Sequence, residues 1–269
     1  MARGIETVPL TEFQRALASR LAENRTFDSY LAGGAAILIE PNTTRFSNDL
    51  DYFHDSEARV ADAFAVDRQL LEEHGYELRV DLNQPGYIRA LVRRGGHSTK
   101  IEWAYDSSWR FMPTVRHEVF GFVLHPIDLA VNKVLALAGR DEPRDVLDTM
   151  HQHRYVLCLG AICWAACGKD PGFTPLSLLE LLRRRGRVRQ EDLARLLLAE
   201  PVDLGSLKRE WLDALDSVEP FVSSRPADEV GCLYYSASRA AFVDPRDAED
   251  AVPHFGRPGG VVPRLERTG

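Results

Sequence analysis

At 269 residues, with 45% hydrophobic and 27% charged content, the chain can bury a sizeable core and hold one large domain or two smaller ones. A net charge of −7 excludes a uniformly basic nucleic-acid binder, although it leaves room for a local basic surface. No run of about 18 or more apolar residues occurs, and "MARGIETVPLTEF" has no continuous apolar stretch of the kind a secretory signal needs, so no membrane span and a cytoplasmic location are expected.

Residues 11 to 25, "TEFQRALASRLAENR", place Phe13, Leu17 and Leu21 at steps of four behind Thr11, which predicts a capped amphipathic helix. "SYLAGGAAILIE" passes through glycines into a short apolar segment, and "RFSNDLDYF" alternates as a strand does. "SEARVADAFAVDRQLLEEHG" returns to helical periodicity and stops at Gly75. "YELRVDL", "GYIRALVRR" and "TKIEWAYD" read as strands, separated by the turn signals "NQPG" and "RRGGHS". One more strand, "FGFVLH", then leads into a helix beginning after Pro126. This order predicts a small mixed sheet backed by helices on one side.

From about residue 143 the pattern is helical, running through "RDVLDTMHQHRYVLCLGAICWAACG", "TPLSLLELLRRRG" and "LGSLKREWLDALD". Three of the four cysteines, Cys158, Cys163 and Cys167, fall in its apolar part, where buried thiols are a better reading than a metal site. After Asp244 the text is rich in Pro and Gly and loses periodicity, so a loose tail is expected. The expected division is a core over 1–150, a helical domain over 151–243 and a tail over 244–269.

The chemistry concentrates in "GGAAILIEPNTTRFSNDLDYF". On a strand Arg45, Ser47, Asp49 and Asp51 would share one face, with Phe46, Leu50 and Tyr52 on the other. Two carboxylates at i and i+2, roughly 6–7 Å apart at their Cα atoms, can grip a divalent cation, and Mg²⁺ suits oxygen ligands on a rigid strand. A bare Asp-x-Asp is as readily a solvated strand edge. A preceding Gly33-Gly34 turn, which can offer backbone N–H groups to a phosphate, shifts the balance toward phosphoryl transfer. Such a reaction also needs a third carboxylate near the attacking hydroxyl. Glu102 of "TKIEW" is the candidate, with pairing to Lys100 as its other reading.

"YLAGGAAILIEPNTTRFSNDLDYF" together with "DLAVNKVLALAGRDEPRDVLD" resembles the AbiEii-type nucleotidyltransferases, the toxin half of type IV toxin–antitoxin systems, which include the MenT toxins. The resemblance rests on the glycine pair, the Arg-x-Ser-x-Asp-x-Asp segment, Lys133 and Arg140 on one helix and Asp145 after it. It implies an α/β (α+β) class, with a polymerase-β-like nucleotidyltransferase mixed sheet and a helical C-terminal domain. Asp49 and Asp51 would bind Mg²⁺ and the NTP, with Gly33, Gly34, Arg45 and Ser47 toward the phosphates. Lys133 would be a cation on the triphosphate, Arg140 would lie near that helical face, and Asp145 would orient Lys133 or the nucleotide. Two positions depart from the family: Ala35 and Ala36 follow the glycines where a Thr or Ser is usual, and Glu102 stands where an Asp is usual.

The resemblance further implies transfer of nucleotides to the 3′ end of tRNA, which blocks aminoacylation and translation, and a cognate antitoxin as partner. A polyanionic acceptor needs cations, and Arg183, Arg184, Arg185, Arg187 and Arg189 supply a cluster, joined by Arg89, Arg93 and Arg94. Such a run is equally a solvated helix end. The alternatives are a nucleotidyltransferase acting on a small hydroxylated molecule, as antibiotic-modifying enzymes do, and an inactive fold member acting as a binding protein.

Overall fold

The computed structural model describes residues 10–37, 39 and 43–263. In chain order the first part carries α1 (Glu12–Leu21), β1 (Ser29–Ala32), α2 (Gly33–Ile37), β2 (Asp49–His54), α3 (Glu57–Glu73), β3 (Glu77–Gln84), β4 (Tyr87–Arg94) and β5 (His97–Tyr105). β6 (Trp109–Arg110), β7 (Val115–His117) and β8 (Gly121–Val123) follow. The helices α4 (Pro126–Gly139), α5 (Pro143–Tyr155), α6 (Leu159–Lys169), α7 (Pro175–Arg185), α8 (Gln190–Leu193), α9 (Leu204–Asp216) and α10 (Val218–Ser223) come next. The short strands β9 (Cys232–Ser236), β10 (Ala241–Phe242), β11 (Ala251–Phe255) and β12 (Arg257–Pro258) close the described chain. No described helix is long and apolar enough to cross a membrane.

The described residues within 1–108, 113–125 and 197–200 form one compact unit, and those within 109–112, 126–196 and 201–269 form a second. The boundary thus falls at Pro126 and not at residue 150, because α4 and α5 pack with α6 and α7. The expected tail over 244–269 holds a strand, β11, paired along its length with β9. β12 pairs with β6, so the end of the described chain is tied to Trp109–Arg110. The predicted continuous helix through "MHQHRYVLCLG" is broken at Val156–Cys158 into α5 and α6.

The first unit is built on a mixed sheet of strand order β3-β4-β5-β2-β1-β8-β7. β2 runs parallel to β5 and antiparallel to β1, while β3, β4 and β5 form an antiparallel meander. Strand alternation puts Leu50, Tyr52, Ile88, Ala90, Val92, Ile101 and Trp103 on one face, all buried. α3 covers that face with Val60, Ala63 and Leu71, and α1 contributes Leu17 and Leu21. Each of these helices starts at a side-chain cap: Ser56 accepts from Arg59 N–H, and Thr11 and Gln14 cap reciprocally.

One buried acid ties this core together. Asp67 of α3, with no exposed surface, accepts from Arg25 Nη2 at 2.5 and 2.6 Å, Asn24 Nδ2 at 2.9 Å and Trp103 Nε1 at 2.7 Å. The Arg25 guanidinium in turn lies 4.5 Å from the centre of the Tyr52 ring. Helix, β5 and β2 therefore meet on a single ion pair, which costs desolvation but fixes their registration.

In the second unit Leu178, Leu182, Trp211 and Phe221 pack around the apolar helix α6, and the cysteines behave as core thiols. Cys163 and Cys167 are buried, and burial pushes Cys167 up to about 12. Among the described residues the cysteines join no metal-ligating cluster.

Candidate active site

The Arg45-to-Asp51 segment is not one strand. β2 begins at Asp49, and Arg45 is bridged instead to Leu198, with Phe46 N–H donating to Leu197 O at 2.7 Å and Ala199 N–H to Thr44 O at 2.9 Å. Arg45 and Ser47 are buried there rather than displayed on a strand face with the acids. Ser47 Oγ donates to Asp49 O at 2.8 Å, bracing the residue that starts the strand. Gln14 of α1 donates to Ser47 O at 3.0 Å and to Thr99 Oγ1 at 3.2 Å, so α1, the turn and β5 are joined behind Asp49.

Register then assembles the acids. The parallel β2–β5 ladder sets Asp49 opposite Lys100 and Asp51 opposite Glu102, so both aspartates and the glutamate lie on the face away from α3. Asp49, Asp51 and Glu102 each offer an oxygen within 4.8 Å of the others. At that range each carboxylate pair repels by on the order of 3 kcal/mol at an effective dielectric of about 20. Arg89, opposite Glu102 on β4, donates to it at 2.9 Å and offsets part of this. Burial and the hydrogen bond to Glu102 push the Tyr87 phenol up to about 12. The predicted pairing of Glu102 with Lys100 is replaced by this contact with Arg89.

The glycine pair has a steric reason in this setting. Gly33 adopts φ +59°, and a Cβ there would sit 1.9 Å from Asp51 Oδ2. A Cβ at Gly34 would meet Arg45 Nη2 at 2.7 Å and Ser47 Oγ at 3.4 Å. The backbone at Gly33-Gly34 is thus packed directly against the acid, the arginine and the serine that the sequence associates with it. Ala35 and Ala36 begin the buried side of α2, where small residues fit the core.

The donor set fits Mg²⁺. An octahedral ion with bonds of about 2.1 Å places its ligand oxygens about 3 to 4 Å apart, close to the spread seen here, and takes its remaining ligands from water and phosphate. Asp49 and Asp51 on one strand and Glu102 on the next would hold it.

The second unit contains a charged cluster of its own. Lys133 of α4 donates to Asp145 Oδ1 at 3.0 Å and lies 3.0 Å from Asp148 Oδ2, while Arg140 Nε donates to Asp145 Oδ2 at 2.7 Å. Burial would raise the Asp145 carboxyl, but the Lys133 charge and the Arg140 hydrogen bonds outweigh it and hold it below the ordinary aspartate value. Lys133 is 6% exposed, where a solvated helix face would leave it in water. Asp148 is a member of this cluster that sequence reasoning missed; its spacing of three from Asp145 on a helix was the available signal.

Of the α7 arginines, Arg183 pairs with Asp216 at 2.8 Å and Arg184 lies 3.5 Å from Glu180. Arg185 ends the helix, and exposed Arg187 and Arg189 follow it.

No family model matches the chain, and no curated protein matches its sequence. Solved structures do. MenT4, a nucleotidyltransferase toxin from Mycobacterium tuberculosis H37Rv, superposes with a TM-score of 0.51 at 16% identity, covering 80% of this chain and 83% of that one. JHP933 from Helicobacter pylori gives a TM-score of 0.47 at 17% identity over 80% of this chain and 97% of that one. The mixed sheet with its helices is therefore a MenT4-like nucleotidyltransferase fold.

Proposed function

We propose that the protein is a Mg²⁺-dependent nucleotidyltransferase that moves a nucleotide from an NTP to the 3′ end of tRNA, acting as a toxin that blocks aminoacylation and translation. The observation that carries the reading is the convergence of Asp49, Asp51 and Glu102 on one sheet face, tight against Gly33. Like charges at this spacing oppose folding, so a site that keeps them is built for cationic and phosphate ligands.

In the reaction a bond forms between the acceptor 3′ oxygen and the α-phosphorus while the bond to pyrophosphate breaks. Bound Mg²⁺ supplies charge neutralisation and alignment of the phosphates. Asp49 and Asp51 would hold the ion, on a backbone braced by Ser47. Glu102 accepts the hydroxyl proton, its carboxylate oriented by Arg89. By resemblance Lys133, set by Asp145, meets charge developing on the leaving pyrophosphate, with Arg140 as second cation. The arginines from Arg183 to Arg189 are assigned to the RNA, and a cognate antitoxin in a cytoplasmic setting belongs to the same reading.

The test incubates the protein with Mg²⁺, each labelled NTP and total tRNA, beside Asp49→Ala. Label entering tRNA with the wild type alone is the expected result; no label with any NTP sinks the proposal. Label entering a small hydroxylated cation but not RNA assigns the small-molecule alternative instead.

A further inference from the structure

The first unit carries a second built feature on the sheet that holds the carboxylates. At the β4–β5 turn, where Gly95 and Gly96 both take left-handed φ of 57° and 82°, lies an open pocket of about 480 Å³ lined by Glu77, Arg93, Arg94, His97 and Ser98. Its charged lining is two guanidiniums against one carboxylate.

The arginines are presented differently. Arg94 is laid over the Tyr76 ring at 4.9 Å, and Tyr76 continues through Phe13 to the stacked His97 ring. That ladder of rings fixes one wall. Arg93 is opposite both Glu77 and Ser98 in the register, yet among the described residues it forms no ion pair. An exposed arginine that stands beside an acid without pairing to it keeps its fork available for an anion.

Register also fixes where the pocket lies relative to the carboxylates. Residues opposite one another share a face, so Arg93 and Ser98 look the same way as Leu91 and Lys100, Arg89 and Glu102, and Asp51, while Arg94 and His97, the next pair, alternate to the other face beside Tyr76 and Phe13. Ser98 is four residues before Glu102 on β5, a distance of about 13 Å along the strand. Lys100, exposed, stands between them. That length corresponds to about four stacked nucleotides at about 3.4 Å each, and to fewer when they are splayed.

We propose that the pocket at the β4–β5 turn is a backbone-phosphate subsite for the acceptor RNA strand, engaging a phosphate two to four nucleotides before the 3′ end that reacts at Asp49, Asp51 and Glu102. The idea rests on the nucleotidyltransferase reading and gives that site a measuring device. A strand long enough to reach Arg93 and Arg94 is held; a shorter one is not.

The experiment compares a dinucleotide and a hexanucleotide RNA as acceptors, with the wild type and with Arg93→Ala/Arg94→Ala. Fluorescence anisotropy of the labelled hexanucleotide is followed across a salt series in parallel. The double variant should raise the KM for the hexanucleotide about tenfold and flatten the slope of log affinity against log salt by about 0.7 for each phosphate it no longer neutralises. The dinucleotide KM should not change. Equal effects on both lengths, an unchanged salt slope, or inorganic phosphate competing as well as the hexanucleotide overturns the subsite. Both arginines are exposed, so the variant should fold, and Arg93→Glu provides a stronger second variant with the same expected pattern. If the wild type transfers nothing to either acceptor, the transferase reading fails. The anisotropy series then decides the pocket by itself.

Discussion

Asp49, Asp51 and Glu102 are like charges brought within 4.8 Å by strand register, whereas Asp145 and Asp148 converge on Lys133, with Arg140 as a second cation on Asp145. The helical cluster balances two acids with two bases, so the fold gains by keeping it intact. The sheet cluster brings three acids within reach of one another, with Arg89 paired to Glu102, so their mutual repulsion is a cost of keeping it. Charges that the protein satisfies internally are structural until a ligand competes for them. Acids crowded by register are relieved only by a ligand or a substitution that removes charge.

The contrast breaks most sharply on substitution. Asp51→Asn should lower nucleotide transfer by about 10⁴-fold, about 5 kcal/mol of barrier, while the melting temperature holds or rises because repulsion is relieved. A fall of many degrees in the same melt would make Asp51 a structural acid. Lys133→Met should lower turnover and, unlike Asp51→Asn, stability with it. It removes the cation shared by buried Asp145 and Asp148 and leaves Arg140 on Asp145, at a cost of about 3 to 5 kcal/mol by urea denaturation. Unfolding at the wild-type urea midpoint would show that the helical cluster is not a balanced unit.

Gly33→Ala tests how the sheet cluster is held. Its φ of +59° and the 1.9 Å approach to Asp51 Oδ2 predict a loss of about 1 to 3 kcal/mol and a displaced carboxylate. Mn²⁺ binding followed by electron paramagnetic resonance should weaken about tenfold; unchanged affinity would mean the turn does not position the acid.

The smallest effect separates the two regions by pH. His54, on the covered side of β2, is pushed from 6.5 down to about 3, first by burial and then by the Arg25 and Arg59 charges. Its neutral form is the folded form, so protonation favours unfolding. Stability is whole above 6.5 and is lost as pH falls toward 3, by about 2 kcal/mol at pH 5. His54→Leu should flatten that slope, and because both ring nitrogens lack partners it should not destabilise at neutral pH. Asp145 is lowered as well, but from 3.8, so its contribution is lost only at more acid pH. Denaturation midpoints at about pH 7 and 5 for both proteins give the answer, and an unaltered slope in His54→Leu would remove His54 from the account.

Local rules reached a good part of this. The alternation in "NDLDYF", the helical period ending at Gly75 and the glycine turns gave β2, α3 and the meander because period, cap and turn chemistry depend on neighbours in sequence. Arg45 and Ser47 were misplaced on the strand because the backbone around Arg45 pairs with Leu197 and Leu198, far along the chain. The burial of Lys133 was hidden for the same reason, since a lysine in a helix pattern reads as solvated unless the acids of another helix are known to face it. Strand β11 was missed because a Pro stands within it, and its fit at a sheet edge beside β9 is a tertiary fact.

The parallel pairing of β2 with β5 has a temporal side. Asp51 and Glu102 are joined across the whole of α3 and the β3–β4 hairpin, which makes theirs a contact of high sequence separation. A slip of one residue would turn every side chain of β2 to the opposite face. Glu102 therefore either joins the two aspartates or is turned away from them, and a ladder out of register holds only the aspartate pair. Long-range pairing is slow to form, so the complete trio waits on the closing of one ladder.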